Sequence, residues 1–136
     1  LSENTAQPLT GRILVVDDLA DAALSLALLC ELYGADAKAA SDGREALKIA
    51  AEFRPDVVLM DISMPNMDGY EAARRLRAQA WGEKPVLIAL TGWGRPADID
   101  DARAAGFDGH LLKPVEAEAL IELITRLRGS AERKLT

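Results

Sequence analysis

Five side chains in this sequence are of the types that act together on phosphorus. Asp17 and Asp18 are adjacent, and Asp61, Thr91 and Lys113 follow at wide intervals. A carboxylate can attack phosphorus as a nucleophile and form an acyl phosphate. The phosphoryl group in transfer carries spread negative charge, which a metal and a cation neutralise and a donor holds in place. Three crowded carboxylates raise one another's pKa values unless a cation sits among them. An all-oxygen set suits a hard ion such as Mg²⁺ or Mn²⁺. These residues therefore predict Asp61 as phosphoryl acceptor, Asp18 and Asp61 as direct metal ligands, and Asp17 as a ligand through water. Lys113 supplies the countercharge and the Thr91 hydroxyl the donor.

Singly, each is an ordinary turn or surface residue. Their positions at the ends of apolar runs make them a set. Ile13-Leu14-Val15-Val16 ends in Asp17-Asp18, and Val57-Val58-Leu59-Met60 ends in Asp61. Val86-Leu87-Ile88-Ala89-Leu90 ends in Thr91-Gly92, and Leu111-Leu112, preceded by His110, ends in Lys113-Pro114. Continuous apolar runs predict strands buried on both faces, as in a parallel sheet. Ala35 to Ala40 alternates more weakly and predicts an edge strand.

The segments between the runs read as helices. Leu24, Ala27 and Leu28 predict one apolar face of a helix that Gly34 caps. Asp42 with Glu45 predicts a capped helix through Phe53, and Asp68 with Glu71 predicts one through about Gln79. Pro96 suits the first turn of a helix ending at Gly106. Ala117, Leu120, Ile121 and Ile124 form a last stripe, with Leu127 beyond. Five β-α units imply a parallel sheet with helices on both faces. In such sheets function collects outside the carboxyl ends of the strands, where all five residues stand.

Composition narrows the class. The chain of 136 residues has the size of one domain, with 49% apolar, 28% charged and 4% aromatic residues. A net charge of −6 disfavours nucleic acid binding. The single cysteine, Cys30, permits no internal disulfide, and the single histidine, His110, argues against zinc. No apolar run is long enough to span a membrane and no signal peptide is seen, so a cytoplasmic location is expected. Residues 1–10 read as a linker, 11–129 as the domain and 130–136 as a tail.

The loop Ile62-Ser63-Met64-Pro65-Asn66-Met67-Asp68-Gly69 is rich in turn formers. The Ser63 carbonyl could complete a metal shell, and an ordinary βα connection fits the same residue types equally well. For Lys113-Pro114 the sequence alone predicts a trans peptide, since about 5–6% of X-Pro bonds are cis.

These motifs together resemble the receiver domain of two-component response regulators. Val15-Val16-Asp17-Asp18, Leu59-Met60-Asp61 through Gly69, Ala89-Leu90-Thr91-Gly92 and Leu111-Leu112-Lys113-Pro114 carry the resemblance, which runs from about Arg12 to Leu127. It implies an α/β flavodoxin-like (CheY-like) fold, a doubly wound five-stranded parallel sheet in the order 2-1-3-4-5 flanked by five helices. It implies that Asp61 takes phosphate from a histidine kinase or histidine phosphotransfer protein with Mg²⁺, and that the Lys113-Pro114 peptide is cis. It further implies that Thr91 couples phosphate to a switch residue, here His110. The surface of the fourth helix, fifth strand and fifth helix then changes partners, with homodimerisation among the expected outcomes. The family's switch residue is commonly Tyr or Phe, so histidine departs from it. Ser63 and Trp93, two residues after Asp61 and Thr91, stand where they tune phosphate lifetime.

The Leu9-Thr10-Gly11-Arg12 lead-in and the Thr91-Gly92-Trp93-Gly94 and Gly106-Phe107-Asp108-Gly109-His110-Leu111 stretches look like receivers at the C-terminus of hybrid sensor kinases, and a stand-alone receiver is the alternative. The domain is expected to be a switch and not a turnover enzyme. An aspartyl-phosphate hydrolase would need a cap insertion and an acid at Ser63. A nucleotide- or flavin-binding protein would need a Gly-rich phosphate loop where Asp17 and Asp18 stand.

Overall fold

The structure is a computed structural model that describes residues 8–62, 69–92 and 96–135, with the side chains of 96–98 and 130–135 outside the description. In chain order the elements are β1 (Arg12–Val16), α1 (Ala20–Leu32), β2 (Asp36–Ala40), α2 (Gly43–Phe53) and β3 (Val57–Asp61). They continue with α3 (Gly69–Arg77), β4 (Val86–Thr91), α4 (Pro96–Ala105), β5 (Gly109–Leu112) and α5 (Ala117–Leu135). The strands form one parallel sheet in the order β2-β1-β3-β4-β5.

The apolar runs are continuous because successive residues serve opposite faces. Leu14 and Val16 of β1, Val58 and Met60 of β3, and Leu87 and Ala89 of β4 pack against α2, α3 and α4. Ile13 and Val15, Val57 and Leu59, and Val86, Ile88 and Leu90 pack against α1 and α5. The edge strand β2 alternates as expected, with Asp36 and Lys38 exposed and Ala37 and Ala39 half-buried. The opposite edge, β5, is only partly covered.

Asp42 caps α2 through a bond from the Glu45 amide to its Oδ1 at 2.8 Å. The Glu45 carboxylate returns to the Ser41 amide at 2.7 Å, which completes a capping box displaced by one residue.

Four parts of the chain differ from the sequence reading. The inner face of α1 is Ala23, Ala27 and Cys30, while Leu24 and Leu28 are 53% and 56% exposed. A helix apolar around most of its circumference gives its periodicity no contrast, and the smaller residues have taken the contact with the sheet. Leu9, within the segment read as a linker, is buried in the core, and its amide donates to Tyr33 O at 3.0 Å. α5 continues through 130–135, which had read as a polar tail. α3 ends at Arg77, two residues short of Gln79.

Arg77 ties the amino-terminal end of the sheet together. Its guanidinium donates to Gly106 O from Nε (3.0 Å) and Nη2 (2.8 Å). It also reaches Gly82 O (2.8 Å), Pro85 O (2.7 Å) and Asp108 Oδ2 (2.8 Å). Asp108 in turn accepts from the Leu87 amide at 2.9 Å. Gly106 has φ +110, and a Cβ there would lie 2.9 Å from Arg77 Cγ, so glycine makes the approach available. Nearby, Asp56 Oδ2 accepts from the Arg12 amide at 2.8 Å, and Arg12 Nε reaches Arg54 O at 3.0 Å.

Candidate functional site

Register brings the strand ends level. Val16 pairs with Met60, Asp61 with Leu90, and Thr91 with Leu112. Asp17, Asp61, Thr91 and Lys113 therefore emerge at one edge of the sheet. Backbone bonds fix them there: the Asp17 amide donates to Ala40 O (3.1 Å) and the Lys113 amide to Thr91 O (2.9 Å). Asp17 Oδ1 accepts from the Leu19 amide at 3.0 Å, which orients its carboxylate. The Lys113-Pro114 peptide is cis.

Asp17, Asp61 and Thr91 are each only 4% exposed, whereas Asp18 lies at the surface. Carboxylate oxygens of Asp17, Asp18 and Asp61 all lie within 4.8 Å of one another. Lys113 Nζ bridges Asp17 Oδ2 at 3.0 Å and Asp61 Oδ2 at 2.9 Å. Desolvation pulls the Lys113 pKa down, but hydrogen bonds to Asp61 and Asp17 and their charges outweigh it and leave it raised. The Asp18 carboxyl is raised by desolvation, then by its hydrogen bond to Asp17 and the charges of Asp61 and Asp17. Among the described residues Lys113 pairs with Asp17 and Asp61, Asp18 lies beside them, and this acidic all-oxygen set fits a divalent cation.

Gly69 admits the first turn of α3 to this end of β3. A Cβ on it would lie 2.6 Å from both Asp61 O and Ile62 Cα. Sequence reasoning assigned Gly69 no role of its own; the only local signal was the Asp68-Gly69 turn pair. His110 is half-buried on β5 and pairs with Ala89, two register positions back from Thr91 and Leu112. Ser63 and Trp93, and with them the expected Ser63 carbonyl ligand, lie outside the described residues.

A groove of about 520 Å³ opens beside Asp17 and Lys113, with Leu19, Leu26, Leu29, Pro114 and Val115 on its walls. The arrangement offers a buried nucleophilic carboxylate, a fixed countercharge, an acidic cation cradle and an adjoining apolar surface. Among the described residues no helix is long and apolar enough to cross a membrane.

Comparisons with known proteins agree with this geometry. The family model described as the response regulator receiver domain matches residues 13–125. The response regulator MprA of Mycolicibacterium vanbaalenii is 38% identical over 122 residues, covering 90% of this chain and 51% of its own. The chain thus spans about half the length of that relative. The chemotaxis protein CheY4 of Vibrio cholerae superposes with a TM-score of 0.83 at 30% identity, covering 88% of this chain and 99% of the other. The receiver domain of the sensor histidine kinase PA1611 from Pseudomonas aeruginosa, solved with a magnesium ion coordinated in its active site cleft, gives 0.79 at 30% identity, covering 89% and 99%. This chain belongs to the receiver-domain family of two-component response regulators.

Proposed function

We propose that Asp61 is the phosphoacceptor of this receiver domain and takes its phosphoryl group from a phosphohistidine on a kinase or phosphotransfer protein. An Asp61 oxygen forms the new P–O bond while the P–N bond to the donor imidazole breaks; the bond pair stays on that nitrogen, and the ring, already protonated on its other nitrogen, leaves as neutral imidazole. The observation that carries this reading is the Lys113 bridge between Asp17 and Asp61, with Asp18 completing the acidic cluster. Asp17, Asp18, Asp61 and the Ser63 carbonyl would hold Mg²⁺ or Mn²⁺, which supplies charge neutralisation at the phosphoryl oxygens when bound.

Lys113 holds Asp61 in place and would meet the developing charge with its ammonium. Thr91, buried at the end of β4, would donate its hydroxyl to a phosphoryl oxygen. The groove along α1 gives the donor protein an apolar footing beside the acceptor. Thr91 and His110 together pass the change to the α4–β5–α5 surface, which changes its partners, a second copy among them. Ser63 and Trp93 set the access of water to the acyl phosphate and so its lifetime. The protein acts as a cytoplasmic switch and does not turn over a separate substrate.

The test incubates the protein with a small phosphodonor and Mg²⁺ and reads the intact mass. One added phosphoryl group is expected, and none in Asp61→Asn. Absence of any adduct in the wild type sinks the reading, and steady phosphate release from an organic phosphate would favour a hydrolase.

A further inference from the structure

α5 is held to the domain almost wholly by apolar contact. Leu120, Leu123 and Ile124 are buried in the layer that α1 and α5 form with the sheet. Apolar burial is non-directional, so it fixes which side of α5 faces inward and constrains its position along the axis less. Beyond the first turn of α5, one hydrogen bond among the described residues joins this helix to another part of the chain. Arg128 Nη1 donates to Thr10 O at 2.8 Å. Thr10 lies in the lead-in, just before β1.

The lead-in is itself pinned. The Leu9 side chain is 1% exposed and belongs to the same apolar layer as Leu120, Leu123 and Ile124. The Leu9 amide donates to the carbonyl of Tyr33, the C-cap of α1. Gly11 O accepts from the amide of Asp36, the first residue of β2, at 2.8 Å. Gly11 has φ +82, and a Cβ there would run into the Asp56 carboxylate. Glycine makes this turn available, so the path from Leu9 into β1 is set. The segment thus joins α1, β2 and α5 at the amino-terminal end of the sheet. On its other side α5 lies close to β5. A Cβ on Gly109 would lie 3.0 Å from Leu127 Cδ1 and 3.4 Å from Leu123 Cδ1. Leu127 precedes Arg128, and Gly109 precedes His110, so a continuous series of contacts runs from the lead-in through α5 to β5.

We propose that Leu9, Thr10 and Gly11 form a strap that sets the position of α5 along the sheet, and that displacing the strap lets α5 slide and alters the α4–β5–α5 surface. Sliding of packed helices is a small motion that apolar contact permits once a directional tie is cut. Resting on the assignment of that surface as the output face, this makes the strap a second control on the output. It acts from the end of the sheet opposite the acceptor and leaves the acids and Lys113 untouched. The coupling is reciprocal by linkage: a strap whose release favours one position of α5 is itself loosened when an occupied acceptor favours that position.

The test is amide hydrogen exchange of the full chain, read residue by residue by NMR. Arg128→Ala cuts the tie and leaves Leu9 in place. About fivefold faster exchange is expected from Leu123 to Gly129 and in β5, with β3 unchanged, the scale of one hydrogen bond. Leu9→Ala withdraws the buried side chain and should speed α5 and β5 more than β3. If Leu9→Ala does not fold, Arg128→Ala decides alone. The reciprocal arm adds beryllofluoride and Mg²⁺ to the wild type. The Asp36 amide, bonded to Gly11 O, should then exchange about fivefold faster, and this response should be absent in Arg128→Ala. Changes at the Ile62 and Gly92 amides report occupation of the acceptor separately. Failure of the phosphoacceptor assignment and failure of the strap are therefore distinguishable, and with an empty acceptor the variants decide. Exchange in α5 and β5 that Arg128→Ala leaves unaltered, or raises evenly across the sheet, overturns the proposal. So does an occupied acceptor that leaves the Asp36 amide unchanged.

Discussion

The two ends of the sheet treat charge in opposite ways. At the amino-terminal end, Arg77 meets three carbonyls and Asp108, and Asp56 accepts from the Arg12 amide. Opposite charges and backbone dipoles answer one another there. At the carboxyl end, Asp17, Asp18 and Asp61 cluster, and Lys113 pairs with the first and last of them. The first arrangement holds elements in place. The second holds an imbalance that a cation or a phosphoryl group can act upon, which is the form that function takes when it is placed against stability.

The largest expected effect breaks the first end. Arg77→Ala removes donors from the carbonyls of Gly82, Pro85 and Gly106 and leaves Asp108 without its cation. The guanidinium is 18% exposed, so loss of about 3 kcal/mol in denaturant unfolding is expected. Well below its melting temperature the variant should still accept phosphate on Asp61. Equal loss of acceptance and stability would mean that the two ends are not separable.

The next effect is at the other end. Lys113→Met removes the ammonium that bridges Asp17 and Asp61, each with a side chain 5% exposed. A loss of about 2 kcal/mol is expected, less than for a fully buried pair because the ammonium is partly solvated. Mg²⁺ should restore part of the stability but not the rate of phosphoryl acceptance, which should fall about 100-fold. The pH dependence has a definite sign. The Lys113 pKa is raised on folding, so its contribution is complete below the ordinary value of 10.5 and is lost as pH rises through the folded value. The stability difference between wild type and Lys113→Met should be level near neutrality and shrink above pH 10.5.

These two ends were unequally visible in the sequence. Asp17, Asp61 and Thr91 each stand at the end of a run buried on both faces, and Lys113 follows the partly covered β5, so the fold rule that places strand ends together also assembled the acids. Arg77 had no such marker. Its partners Gly106 and Asp108 lie 29 and 31 residues away, and an arginine near a helix end looks like any solvated charge. Leu9 was hidden by its polar neighbours, and tertiary contact with Tyr33 O is what fixes it. In α1 the leucines predicted inward face outward, because hydrophobicity without contrast does not say which side meets the sheet. Gly69 was visible as a turn residue, but its closeness to Asp61 O depends on how α3 enters.

The smallest effect isolates the imbalance itself. Asp18 is the exposed member of the cluster, and its pKa is raised chiefly by desolvation, then by Asp17 and Asp61. A carboxyl whose folded pKa exceeds its ordinary value of 3.8 binds a proton more readily in the native state, so its ionisation lowers stability as pH rises through that window. Asp18→Asn should therefore be more stable than wild type at neutral pH without metal, by about 0.5–1 kcal/mol, the scale of exposed charge pairs. The gain should vanish at pH values well below 3.8, where both chains are neutral at this position. Wild type should gain melting temperature on addition of Mg²⁺, and less so as the solution is acidified, because protons and cation compete for the same carboxylate. Asp18→Asn should respond to Mg²⁺ weakly at any pH. A variant that is less stable than wild type without metal, or that keeps the full Mg²⁺ response, would show that Asp18 is a structural residue and that the imbalance at this end lies between Asp17 and Asp61 alone.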